Sequence, residues 1–143
     1  MTTIRRVVFD TSTLVSAALR PDSIPYQALH RALRFCDVCP SKETLDELRK
    51  VLARDKFRRY LPDRAVRQFM RAMESNARLF EVRDLDCLAA NPPCRDPGDN
   101  KFLALAFECE ADAIVSSDED LLVLDPWDTV RILRPADFLN AVG

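Results

Sequence analysis

The sequence predicts one three-layer α/β domain built on a parallel sheet, and three observations predict it. Short apolar runs rich in β-branched residues recur along the chain, and segments with helical patterning separate them, which is the alternation that yields a parallel sheet covered on both faces. The 143 residues, 48% of them apolar and 31% charged, suffice for one core without disulfides or metals to hold it together. No internal repeat, low-complexity run or linker divides the chain, so a single domain over residues 1–143 is expected.

Taken in order, Arg6-Val7-Val8-Phe9 is the first strand, too short to show a period but high in β-propensity, and Asp10 stands at its end. A helical pattern from about Ser23 to Arg34 follows, with Pro25 near its start, and then Phe35 to Cys39 forms a second strand that Pro40 terminates. The next helix carries Leu45, Leu48 and Leu52 on one face; Thr44 with Glu47 has the spacing of a capping box, and Ser41 is an alternative cap one turn earlier. Residues from about Asp55 to Ala77 read as further helix, interrupted at Pro62. Leu79-Phe80-Glu81-Val82 is the third strand, Asp99 to Cys109 a helix, Ala113 to Ser116 the fourth strand and Val130 to Leu133 the fifth. Between them the Pro-rich stretch from Asp84 to Gly98 reads as a surface loop, and the sheet is expected to have about five strands.

Composition excludes several function classes. Gly98 and Gly143 are the only glycines, so a Gly-rich phosphate loop has no residues to be built from. A single histidine, His30, removes paired-His acid/base chemistry and the HExxH zinc site. The N-terminus lacks a signal-peptide core and no apolar stretch has membrane-spanning length, which predicts a cytoplasmic protein with no membrane partner. Five cysteines, Cys36, Cys39, Cys87, Cys94 and Cys109, are odd in number and scattered, so they read as reduced thiols; the Cys36–Cys39 pair lacks the second pair that a zinc site needs. Carboxylates are left to carry any chemistry.

Charge is segregated along the chain. Residues 49–78 hold ten cations (Arg49, Lys50, Arg54, Lys56, Arg58, Arg59, Arg64, Arg67, Arg71, Arg78) against three acids, whereas residues 81–128 hold thirteen acids against three cations, so the net charge of −2 conceals two opposed fields. A basic surface attracts a polyanion, and an acidic one binds cations.

Four acids are placed to converge. In an open parallel sheet, ligands bind beyond the carboxyl ends of the strands, and Asp10 and Asp118 each follow an apolar strand. Asp99 opens a helix, where a carboxylate either caps the first turn or reaches toward a neighbouring strand end. Glu47 lies about 40° from Val51 on the helical wheel, at the margin of the apolar stripe. Such carboxylates repel unless a divalent cation neutralises them, and a ligand set of oxygen alone favours Mg²⁺ or Mn²⁺.

Four segments in order, Val7 to Ala17, Ser41 to Leu48, Arg95-Asp96-Pro97-Gly98-Asp99-Asn100-Lys101-Phe102 through Ala106, and Ile114 to Leu122, together resemble the PIN domain. The nearest likeness is to its subgroup of toxin components of toxin–antitoxin systems, related to the VapC-type ribonucleases, and it covers nearly the whole chain. The resemblance implies a PIN-like α/β fold, an acidic quartet that binds Mg²⁺ or Mn²⁺, and cleavage of RNA. It assigns Asp10, Glu47, Asp99 and Asp118 to the quartet and Ser12 to the small hydroxyl residue two positions after the first acid. Asp96 fits the subgroup's Arg-Asp-x-x-Asp pattern and Asp120 lies close enough to support or substitute, but Asp99 ranks above Asp96 because it stands seven residues before Ala106.

By that resemblance, Asp10, Asp99 and Asp118 hold the metal, with Asp96 and Asp120 as further candidate ligands. Glu47, itself a candidate ligand, orients or deprotonates the attacking water, and Ser12 or Ser117 bonds a ligand or the scissile phosphate. It also implies 5′-phosphate and 3′-hydroxyl products, a small protein antitoxin and a homodimer. A haloacid dehalogenase-type phosphatase is excluded because its second aspartate is replaced by Ser12. A receiver domain is excluded because its adjacent acidic pair and late Lys-Pro are missing. The remaining alternative is a PIN-like module that binds RNA or a protein and is catalytically silent.

Overall fold

The computed structural model describes residues 3–82 and 94–142. Cys87 and most of the loop expected between Asp84 and Gly98 lie outside the described residues. Strand β1 (Arg6–Phe9) leads into α1 (Thr11–Leu19) and α2 (Ile24–Phe35), and β2 (Asp37–Val38) into α3 (Lys42–Leu52), α4 (Asp55–Arg58) and α5 (Asp63–Asn76). A 3₁₀ turn (Pro97–Asp99) enters α6 (Asn100–Glu108), followed by β3 (Ala113–Val115), α7 (Glu119–Leu122), β4 (Arg131–Leu133) and α8 (Pro135–Ala141).

The strands form one parallel sheet in the order β2-β1-β3-β4. Side chains of a strand alternate between faces, and this alternation divides the core into two layers. Val7, Phe9, Ala113 and Val115 pack with Leu14 of α1, Leu29 of α2, Leu48 of α3, Met70 of α5 and Phe138 of α8. Val8, Ile114 and Ile132 face the other way, onto Phe102, Leu103 and Leu105 of α6, with Leu121 and Trp127. The expected three-layer α/β architecture is present. No helix among the described residues is long and apolar enough to cross a membrane.

Sequence and structure part over the number of strands. The described residues hold four strands rather than about five, because Leu79–Val82 makes only an isolated parallel bridge, Phe80 with Ser41. Its neighbour β2 is two residues long, and Pro40 then turns the chain toward α3, so a ladder along this edge has nothing to continue on. The Arg6 and Arg78 guanidinium groups lie over the Phe80 ring, at 6.0 and 5.2 Å from its centroid, and hold it in place. β2 also begins later than expected, because α2 runs on through Phe35.

The α3 cap is the earlier of the two expected. Ser41 accepts from the Thr44 backbone N–H at 3.1 Å, and the Thr44 hydroxyl accepts from the Ser41 N–H at 2.9 Å, so each satisfies a donor that the helix start leaves open. Glu47 is thereby released from capping. Cys36, Cys39, Cys94 and Cys109 are free thiols. Cys39 and Cys109 both sit in the layer between the sheet and α6, where the Cys39 Sγ donates to the Asp37 carbonyl at 3.3 Å and the Cys109 Sγ to the Ala106 carbonyl at 3.8 Å.

Candidate functional site

The strand order reverses at β1, which has β2 on one side and β3 on the other, and ligand sites of parallel sheets form beyond such a point. Phe9 pairs with Val115, and the Asp10 N–H donates to the Val115 carbonyl at 3.2 Å, so the chain leaves both central strands at one level. The two expected strand-end acids are thus brought to the same edge of the sheet.

Asp10 serves two structural needs there. As the α1 cap, its Oδ1 accepts from the Thr13 N–H at 2.9 Å, with the Ser12 hydroxyl at 3.5 Å, while Oδ2 accepts from the Ser116 hydroxyl. The residue is only 2% exposed. Burial pushes its carboxyl above the ordinary carboxylate range, against the donors from Ser116 and Thr13 that pull it down. Ser116 also accepts from the Asp118 N–H at 2.9 Å, so one buried hydroxyl ties both strand ends together.

Asp118 caps α7, its Oδ1 accepting from the Asp120 N–H at 2.9 Å. Asp99, at the junction of the 3₁₀ turn and α6, makes no side-chain cap; its carboxyl is hydrogen-bonded to that of Asp118 instead. Burial first, then the hydrogen bond and charge of Asp118, then the charges of Asp96 and Asp10, push the Asp99 carboxyl up to about 7.

Glu47 reaches the site from α3. Its Oε2 accepts from the Thr11 hydroxyl at 2.8 Å, and its Oε1 pairs with Lys101 Nζ at 2.7 Å. Asp10, Ser12, Glu47, Asp99 and Asp118 line one cleft of about 480 Å³, together with Arg54 and Phe57 at the start of the basic segment. Among the described residues no group of three or more His, Cys, Asp or Glu side chains is already arranged to hold a metal ion. The donors facing the cleft are nevertheless carboxylate and hydroxyl oxygens, the set that suits a hard divalent ion.

Asp96 and Asp120 are placed elsewhere. Asp96 is exposed and caps the 3₁₀ turn, accepting from the Gly98 N–H at 3.0 Å; it adds charge near Asp99 but does not line the cleft. The Asp120 side chain faces Arg95 at 3.8 Å, and its backbone N–H is what touches Asp118. Ser117 is exposed, and the serine joined to the acids is Ser116.

Sequence reasoning passed over Ser116, Thr11 and Lys101. Ser116 stands within the quoted segment after β3, and strand parity there was the available signal. Lys101, two residues after Asp99 on α6, gave none, since its partner is 54 residues away.

The fold is shared with solved structures of low sequence identity. VapBC2 from Rickettsia felis, crystallised bound to a DNA fragment from its promoter, aligns over 90% of this chain and 98% of that chain at 12% identity with a TM-score of 0.64. PAE2754 from Pyrobaculum aerophilum aligns over 96% and 95% at 14% identity with a TM-score of 0.63. FitAcB from Neisseria gonorrhoeae aligns over 91% and 98% at 19% identity with a TM-score of 0.56. No functionally curated protein matches the sequence. The model of the PIN domain matches residues 6–120, from the first residue of β1 through the acidic turn after β3, and a match over that much of the sequence means that the chain belongs to the PIN domain family.

Proposed function

We propose that this PIN domain is an endoribonuclease that uses Mg²⁺ or Mn²⁺ to hydrolyse RNA phosphodiester bonds. The observation that carries the reading is the Asp99–Asp118 contact beside buried Asp10, three carboxyls held where their charges oppose one another. Proteins do not keep such a cluster at the end of a sheet for stability, since each acid raises the cost of ionising the next. Asp10, Asp99 and Asp118 would hold the ion, which supplies charge neutralisation and Lewis acidity at a phosphoryl oxygen.

The chain's own groups do the rest. Ser116 and the Thr13 N–H fix Asp10, so the floor of the cleft is rigid. Glu47, held at the rim by Thr11 and Lys101, orients the attacking water, and Ser12 stands at the mouth to bond a phosphate oxygen. Arg54 extends the basic segment to the cleft edge, and Phe57 offers an aromatic surface beside it, a pairing suited to backbone phosphate and an unstacked base. Hydrolysis would leave a 5′-phosphate and a 3′-hydroxyl.

The likeness to VapBC2 and FitAcB supports a role as the toxin of a toxin–antitoxin pair with a small protein antitoxin as partner, and a homodimer is part of the same proposal. A catalytically silent RNA- or protein-binding module is the second reading. The Lys101–Glu47 ion pair favours it, since one of the four acids already has a partner. Cleavage of labelled single-stranded RNA with Mg²⁺, Mn²⁺ or EDTA, alongside Asp10→Asn and Asp118→Asn, decides between them. Metal-dependent cuts lost in both variants support the nuclease, and retained RNA binding without cuts supports the silent module.

A further inference from the structure

Glu47 differs from the three aspartates of the cleft in that the chain itself supplies its counter-charge. Lys101 Nζ is 2.7 Å from Oε1 and the Thr11 hydroxyl 2.8 Å from Oε2, so both carboxylate oxygens are engaged. The pair is partly shielded, with side-chain exposures of 24% for Lys101 and 34% for Glu47. Lys101 does not line the cleft of the aspartates; it lines a neighbouring groove with Lys42 and Lys50, and Glu47 borders both depressions. The ammonium therefore meets Glu47 from outside the cleft and leaves the space between Asp10, Asp99 and Asp118 free.

The aspartates are in the opposite condition. Asp10, Asp99 and Asp118 line the cleft together, and among the described residues no Lys or Arg pairs with any of the three. A divalent ion entering the cleft finds uncompensated carboxylates at Asp99 and Asp118, whereas recruiting Glu47 requires displacing an ammonium and a hydroxyl donor already in hydrogen-bond contact.

We propose that Lys101 is a positioning residue that stands in for a cation at Glu47, so that the cleft takes a single divalent ion, on the aspartates, and Glu47 stays outside its ligand set. This rests on the reading of the cleft as a divalent-ion site, but not on RNA cleavage.

The test is a Mn²⁺ titration of the purified full chain without RNA, followed by calorimetry and by the electron paramagnetic resonance signal of free Mn²⁺. One Mn²⁺ per chain is expected, and Glu47→Gln should leave its affinity within about twofold, whereas Asp99→Asn weakens it by about tenfold or more. Lys101→Met releases Glu47 and should add a second Mn²⁺ or tighten the first by about tenfold, the coupling expected when two cations share one carboxylate. Lys101→Arg keeps the pair and should behave as the parent chain. Thermal melts establish that each variant is folded before it is scored.

Two Mn²⁺ in the parent chain, a loss in Glu47→Gln equal to that in Asp99→Asn, or a folded Lys101→Met indistinguishable from the parent each overturns the inference. Failure to bind Mn²⁺ at all overturns it together with the divalent-site reading. The expected Mn²⁺ pattern without RNA cleavage upholds it and overturns only the nuclease.

Discussion

The hydroxyl of Ser116 donates to the carboxylate of Asp10 across the seam between the two central strands, joining residues 106 positions apart. Both are buried, at 0% and 2% exposure, so water cannot replace the bond. Ser116→Ala should destabilise the fold by about 1–3 kcal/mol, the cost of stripping a donor from a buried acceptor. Urea unfolding monitored by circular dichroism reads this directly, and an unchanged midpoint would remove Ser116 from the account of the site.

The acid cluster gives stability a pH dependence with a definite sign. Asp99 binds its proton more tightly folded, at about 7, than unfolded, near the ordinary 3.8, so the metal-free fold loses stability as pH rises from about 4 to about 7. Buried Asp10 shifts in the same direction. A bound divalent ion needs these groups ionised, so Mg²⁺ or Mn²⁺ should raise the melting temperature at pH 8 and have little effect at pH 5. Calorimetric scans at both pH values check it; equal stabilisation at both contradicts ionisation of Asp99 on binding.

Neighbouring positions on α3 separate folding from chemistry. Leu48 is fully buried in the core, and Leu48→Ala should cost about 2–5 kcal/mol. Glu47 is partly exposed, and Glu47→Gln, which removes an ion pair at the cleft rim, should cost about 1 kcal/mol or less while abolishing RNA cleavage. Denaturant titration alongside single-turnover cleavage distinguishes the two. Comparable stability losses would show that Glu47 is structural.

What the sequence disclosed followed the reach of its local signals. Asp10 and Asp118 were legible because each follows a strongly apolar run, and a buried parallel strand sends its next residue to the ligand-binding edge. Ser41 was legible as a cap, since capping depends on spacing within one turn, whereas Thr44 was read as boxed with Glu47 and instead closes the box that Ser41 opens. Phe80 was misleading: its neighbours look like a strand, but the edge it meets is two residues long and ends in Pro40, a tertiary circumstance that local patterning does not record. The Lys101–Glu47 pair and the Ser116–Asp10 bond were hidden for the same reason, since each joins chain segments that only the finished fold brings together.

The basic segment beside the cleft should contribute through charge rather than base recognition. Arg54→Gln should weaken single-stranded RNA binding for all sequences tested and reduce the slope of log affinity against log salt by about 0.7, the value for one phosphate contact. Arg131→Gln, at a guanidinium already paired with Asp125 at 2.9 Å, serves as the control and should leave the slope unchanged. Fluorescence anisotropy across a salt series measures both, and equal slopes for Arg54→Gln and the parent would remove Arg54 from the RNA-binding surface.

The pairing of β1 with β3 also orders events during synthesis. β1 is made before β3, and until the chain has grown past Val115 its only sheet partner among the described strands is the two-residue β2, while Asp10 has neither the Val115 carbonyl nor the Ser116 hydroxyl to settle against. The acids at positions 10, 47, 99 and 118 are translated one after another but acquire a common cleft only when the third strand docks. A chain stalled before that point carries some of the acids and none of the site, so the cleft is complete only once the segment through Asp118 has been made.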